Sequence, residues 1–87
     1  MKIKEGYMVR EVAGTAVVVP ITADTTFHGM LKLNGTGRFL WEKLTSETDR
    51  ESLIAALLAE YEVTEEVAAQ GVDAFLATLE KLNVLEK

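Results

Sequence analysis

At 87 residues, nearly half of them hydrophobic, the chain suits one domain, spanning residues 1–87, with a modest core and a stability on the order of a few kcal/mol. The net charge of −5, from 14 acidic and 9 basic residues, lacks the basic excess that phosphate neutralisation demands, so basic or apolar partners fit better than nucleic acid. The absence of cysteine and the single His28 exclude disulfides, thiol chemistry and a thiolate or multi-histidine metal site. No apolar run approaches the ~18 residues of a membrane span, and "MKIKEGY" has no signal-peptide core, so a cytoplasmic location is expected.

The first third reads as strands. "YMVREV" (Tyr7 to Val12) alternates weakly, and "TAVVVPI" (Thr15 to Ile21) is dense in β-branched residues. The two-residue connection Ala13-Gly14 predicts a hairpin in which Gly14 supplies a positive φ. Pro20 has no amide proton and belongs at the end of its strand or at an edge. "TADTTFHG" (Thr22 to Gly29) is a polar turn or loop, with His28 a turn or surface residue. "MLKL" (Met30 to Leu33) is a third, short strand with Leu31 and Leu33 on one face and Met30 and Lys32 on the other.

The remainder reads as three helices. The first spans about Gly35 to Thr45 with Asn34 as its N-cap. The second follows Thr48, which has capping-box spacing to Glu51, and its apolar residues Leu53, Ile54, Leu57, Leu58 and Tyr61 recur at helical period. The third is capped by Thr64, carries Glu65 and Glu66 where the helix dipole favours acids, and runs to about Leu82. Asn83 suits a left-handed helix stop, after which Val84 and Leu85 return to the core. With three strands followed by three helices and no strand after a helix, the fold class is α+β, and no parallel βαβ unit can be drawn.

Gly35 and Gly37 stand in the first turn of the first helix, just before Phe39, Leu40, Trp41 and Leu44. A glycine inside a helix costs roughly 0.5–1 kcal/mol relative to alanine, so the pair asks for a reason. A phosphate cradle is rejected: the third glycine position of the dinucleotide motif is Leu40, and no parallel strand follows to carry a ribose-binding acid. The better reading is a junction between the strand half and the helix half. Asn34 caps it, the glycines admit a neighbouring backbone, and the bulky residues, Trp41 among them, fill the core.

"LNGTGRFLWEKL" resembles the signature of PqqD-like proteins, a family named for pyrroloquinoline quinone biosynthesis, at Leu33, Asn34, Thr36, Gly37, Leu40, Trp41 and Leu44. "REVAGTAVVVP" resembles the family's first hairpin, and "LIAALLAEYEVTEEVAAQGVDAFLATLEKLNVLE" its two-helix tail, so the resemblance covers nearly the whole chain. The length suits a stand-alone member. The resemblance implies a small winged-helix-like domain, a three-stranded antiparallel sheet with three helices. It also implies a peptide-recognition role, holding the leader of a ribosomally made precursor peptide for a modifying enzyme, often a radical S-adenosylmethionine enzyme. In such proteins the leader adds a strand to the third strand, beside the last helix. Carried onto this chain, the peptide-binding residues are Gly29, Met30, Leu31, Lys32 and Leu33 on the strand and Val67, Gly71, Ala74 and Phe75 on the helix. No catalytic residue, cofactor or metal is implied.

The residues themselves leave alternatives open. Lys32 on a short edge also fits protection against aggregation. On the last helix Ala68, Val72, Phe75, Leu79 and Leu82 form a core stripe. Beside them Val67, Gly71, Ala74 and Thr78 form a smaller stripe that admits either another part of the fold or a bound chain. A winged-helix DNA-binding regulator is the alternative that shape allows, against which Glu65, Glu66, Asp73 and Glu80 on the last helix face a single Lys81. A small enzyme has no supporting constellation.

Overall fold

The computed structural model describes residues 1–21 and 31–86. The expected segment Thr22 to Met30, with His28, Gly29 and Met30, lies outside the described residues. The element order is β1 (Lys2–Ile3), β2 (Tyr7–Val12), β3 (Thr15–Pro20), β4 (Leu31–Leu33), α1 (Gly35–Leu44), α2 (Arg50–Glu60), α3 (Glu65–Lys81) and β5 (Leu85–Glu86). The α+β, winged-helix-like class is therefore as the sequence implies.

Strands β2, β3 and β4 form an antiparallel sheet in that order. The hairpin register pairs Val12 with Thr15, and the two linking residues, Ala13 and Gly14, both have positive φ (53° and 79°), as a tight turn matched to strand twist requires. Pro20 closes β3. On the central strand Ala16 and Val18 enter the core. Val17 points to the opposite face, where its register partners are Arg10 and Lys32, and is buried as well. Strand β4 is an edge: β3 pairs with it on one side, and no described strand pairs on the other.

Two strands were not foreseen. β1 and β5 form a separate antiparallel sheet, Lys2 opposite Glu86 and Ile3 opposite Leu85, so a strand does follow the last helix. The Lys4 amide extends the pairing by donating to the Val84 carbonyl at 2.9 Å. Two-residue strands leave no periodicity to read, and this pair is held instead by burial of Ile3, Val84 and Leu85.

Each helix start has a side-chain cap. Asn34 Oδ1 accepts from the Gly37 amide at 2.7 Å, and Thr64 Oγ1 accepts from the Val67 amide at 3.2 Å, both as expected. The cap of α2 is Asp49, not Thr48; its Oδ1 accepts from the Ser52 amide at 2.7 Å. Thr48 is engaged elsewhere, its amide donating to the Met1 carbonyl and its carbonyl accepting from the Met1 ammonium. Asn83, with φ of 60°, stops α3 in the left-handed conformation.

Leu40, Trp41 and Leu44 from α1, Leu53, Ile54 and Leu57 from α2, and Ala68, Val72 and Leu79 from α3 form one core with Val18 and Leu33. Full burial of each large side chain contributes about 1.5–3 kcal/mol. Leu58 and Tyr61, which continue the period of α2, are exposed.

Arg50 at the start of α2 grips Asp73 in the middle of α3 through two hydrogen bonds, 2.5 Å and 2.9 Å. The hydrogen bonds from Arg50, aided by its charge, hold the Asp73 carboxyl below its ordinary value, and the Ser52 hydrogen bond lowers Asp49 likewise. A carboxylate whose pKa is depressed by folding contributes stability above its unfolded value, near 4, and loses that contribution as pH falls through the lower folded value. The melting temperature is therefore expected to fall as pH drops below about 4. Asp73→Asn should lower it at neutral pH and flatten that acid limb, as melts from pH 2 to 7 would record. An equally steep acid limb in the variant would assign the effect to other groups.

Candidate functional site

Two grooves run along α3. One, of about 320 Å³, lies between the start of α1 and α3, lined by Asn34, Thr36, Gly37 and Leu40 on one wall and Gly71, Ala74, Phe75 and Thr78 on the other. The second, of about 160 Å³, lies toward the α2–α3 connection and is lined by Thr36, Leu57, Tyr61, Val63, Val67, Ala68 and Gly71. Thr36 and Gly71 belong to both, which makes the two grooves one trough along the small-residue stripe.

The stripe faces open space. A Cβ added to Gly71 meets no heavy atom within 4 Å, and Val67, Gly71, Ala74 and Thr78 are all exposed. No other described part of the fold lies against Gly71. Thr78 turns its hydroxyl inward, donating to the Ala74 carbonyl at 3.1 Å, so it adds little polarity to the wall.

Gly37 sets how close the walls stand. A Cβ there would lie 3.2 Å from Asn34 Oδ1, 3.4 Å from a Phe75 ring carbon and 3.6 Å from Leu33 Cδ2. The neighbour is thus a ring and a capping side chain, not the backbone expected, and Gly35 meets nothing within 4 Å. Only the second glycine is required for packing. Its contact joins the end of β4, the start of α1 and α3 at one point.

Of the expected site residues, Gly71, Ala74 and Phe75 line the first groove, and Val67 the second. Phe75 serves twice, half-buried against the core and presenting part of its ring to the groove. Leu33 is buried beside Gly37 and Phe75; Leu31 is half-buried on the same face. Lys32 is exposed on the opposite face, so it offers the edge its backbone and not its side chain. Gly29 and Met30 are outside the described residues.

Sequence reasoning missed Asn34, Thr36, Leu40, Tyr61, Val63 and the groove side of Gly37. Asn34 to Gly37 directly follow the edge strand, and that adjacency was the available signal: residues ending an edge strand flank whatever cleft the edge borders.

The site is chemically plain. Among the described residues no group of three or more His, Cys, Asp or Glu could hold a metal ion, and no helix is long and apolar enough to cross a membrane. A strand edge unpaired among the described residues, beside a shallow trough of small and apolar residues, suits an extended chain better than a compact ligand.

Comparison with solved structures finds the same fold in "TbiB1 in Complex with the TbiA(beta) Leader Peptide", with a TM-score of 0.76 and 23% identity, covering 99% of this chain and 95% of that one. No curated protein matches the chain. The family model for coenzyme PQQ synthesis protein D (PqqD) matches residues 9–85. Matched over nearly its whole length, the chain belongs to the PqqD family.

Proposed function

We propose that this protein binds the leader segment of a ribosomally made precursor peptide by strand addition at β4 and presents it to a modifying enzyme. The observation that carries this reading is the edge of β4, unpaired on one side among the described residues, beside a trough whose floor, at Gly71, faces no other described residue. Family membership supports it, as does the shared fold of a protein solved with a leader peptide.

The peptide pairs antiparallel with Gly29 to Leu33, and its inward side chains enter the trough beside Val67, Gly71, Ala74 and Phe75. Backbone pairing supplies affinity with little demand on sequence, so a few apolar anchors supply specificity. The interface is small and the peptide loses entropy on ordering, which places binding in the sub-micromolar to micromolar range, about −8 kcal/mol. The protein acts as a non-catalytic chaperone in the cytoplasm, and a radical S-adenosylmethionine enzyme fits as the recipient.

The test is a backbone amide shift map with a synthetic leader from a candidate precursor peptide. Shifts are expected on Leu31 to Leu33 and along the Val67–Thr78 face. Shifts confined to Leu53–Glu60 would overturn the site.

The same experiment with duplex DNA separates the shape-based alternative. Helix α3 carries Glu65, Glu66, Asp73 and Glu80 against Lys81, so a titration at low salt is expected to show no binding. Micromolar affinity that falls steeply with salt would mark phosphate contacts and reverse this reading.

A further inference from the structure

Four of the exposed large hydrophobic residues, Leu58, Tyr61, Val63 and Val67, fall within one short stretch around the α2–α3 connection. Three of them line the 160 Å³ end of the trough. Its charge surroundings are one-sided. No lysine or arginine stands between Arg50 and Lys81, Glu60 and Glu62 flank Tyr61, and Glu65 and Glu66 precede Val67. None of these four glutamates forms an ion pair with a described residue. Two cations stand near these four carboxylates: Lys43, 5.3 Å over the Phe39 ring that meets Tyr61 edge-on, and Arg50, which lines a neighbouring groove with Glu65 and is itself paired to Asp73. The α3 N-terminus offsets roughly half a charge more. At a Debye length of about 8–10 Å the remaining negative potential reaches any chain seated in the depression.

The position of this end relative to β4 gives a direction. Groove lining passes from Thr78, Phe75 and Asn34 to Gly71 and Thr36, and then to Val67 and Val63. It therefore continues beyond the Leu33 end of β4. A peptide antiparallel to β4 runs from Leu33 toward Leu31, so residues beyond the Leu33 end precede the paired ones.

Resting on the peptide-binding reading above, we propose that the Leu57–Tyr61–Val63–Val67 depression takes an apolar side chain from a basic segment of the bound peptide. That segment lies N-terminal to the residues that pair with β4. At about 3.3 Å per residue, one to two helical turns of α3, about 5–11 Å, place this anchor about two to three residues upstream of the paired stretch.

The test is selection of displayed random twelve-residue peptides against the full chain at low salt, repeated with the exposed glutamates neutralised together (Glu60→Gln, Glu62→Gln, Glu65→Gln, Glu66→Gln). Wild-type binders are expected to carry lysine or arginine beside an apolar residue on the N-terminal side of a strand-forming segment. Each neutralised glutamate should weaken such a peptide by about two- to five-fold. The loss should also appear in wild-type protein as salt rises, a measurement that needs no variant. Binders with no basic enrichment, or with basic residues only on the C-terminal side, would overturn this inference and leave leader binding standing. Failure to select any peptide would sink both.

Discussion

Gly71→Leu should fold, melt higher than the parent protein and bind leader peptide at least about ten-fold more weakly, a loss of about 1.4 kcal/mol or more. The two effects have separate causes. Gly71 sits in mid-helix, its Cβ direction is empty, and glycine there costs about 0.5–1 kcal/mol relative to a good helix former. Recovering that amount raises the melting temperature of a domain this size by roughly 2–8 °C. The new side chain then occupies the point where both grooves meet, since Gly71 lines each of them. Gly71→Ala should give a similar stability gain with a smaller binding loss, because one methyl fills less of the trough. Thermal melts and calorimetry on both variants check the pair. A Leu variant that binds at full strength would reduce the small stripe to a surface without a role.

Gly37→Val should destabilise the fold by about 1–3 kcal/mol, the usual cost of overpacking a tight site. The contacts at 3.2 Å and 3.4 Å already crowd a single Cβ, and valine adds two methyls held to few rotamers in a helix. Yielding would move either the Phe75 ring or the Asn34 carboxamide, and the latter is the helix cap, itself contributing on the order of 1 kcal/mol. Gly35→Ala is the matched control. It lies two residues away in the same helical turn with nothing within 4 Å, so it should leave stability unchanged or raised. Chemical denaturation of the two variants separates them; an unchanged midpoint for Gly37→Val would mean that the junction gives way freely.

These two glycines mark the limit of what the sequence makes legible. Their spacing shows that something unusual happens at the start of α1, but only the fold tells which one faces Phe75 and which faces solvent. Local devices are readable because their partners are near in sequence. The Ala13-Gly14 turn, the Asn34 and Thr64 caps and the Asn83 stop all fall where side-chain chemistry places them. The Asp49 cap is one residue from the expected Thr48 because Met1, far away in sequence, occupies the Thr48 backbone. Leu58 and Tyr61 share the period of buried neighbours, yet periodicity gives a face and not how much of it is covered. The α3 wall of the trough was visible as a run of small residues. The facing wall, Asn34 to Gly37, reads as a capped junction, and its second use depends on how the helices are placed.

The small sheet of β1 and β5 bears on how the chain comes to be made. Ile3 leaves the ribosome about eighty residues ahead of Leu85, its partner, and at ordinary synthesis rates that is a delay of about 4–16 s. During that interval the hairpin and the first helices are free to assemble, but the Ile3 face has no mate, and the Val84 and Leu85 layer of the core does not exist. Completion is therefore a late event that joins the first and last strands of the domain. A ribosome-stalled chain lacking its last few residues should remain open to protease at its first strand.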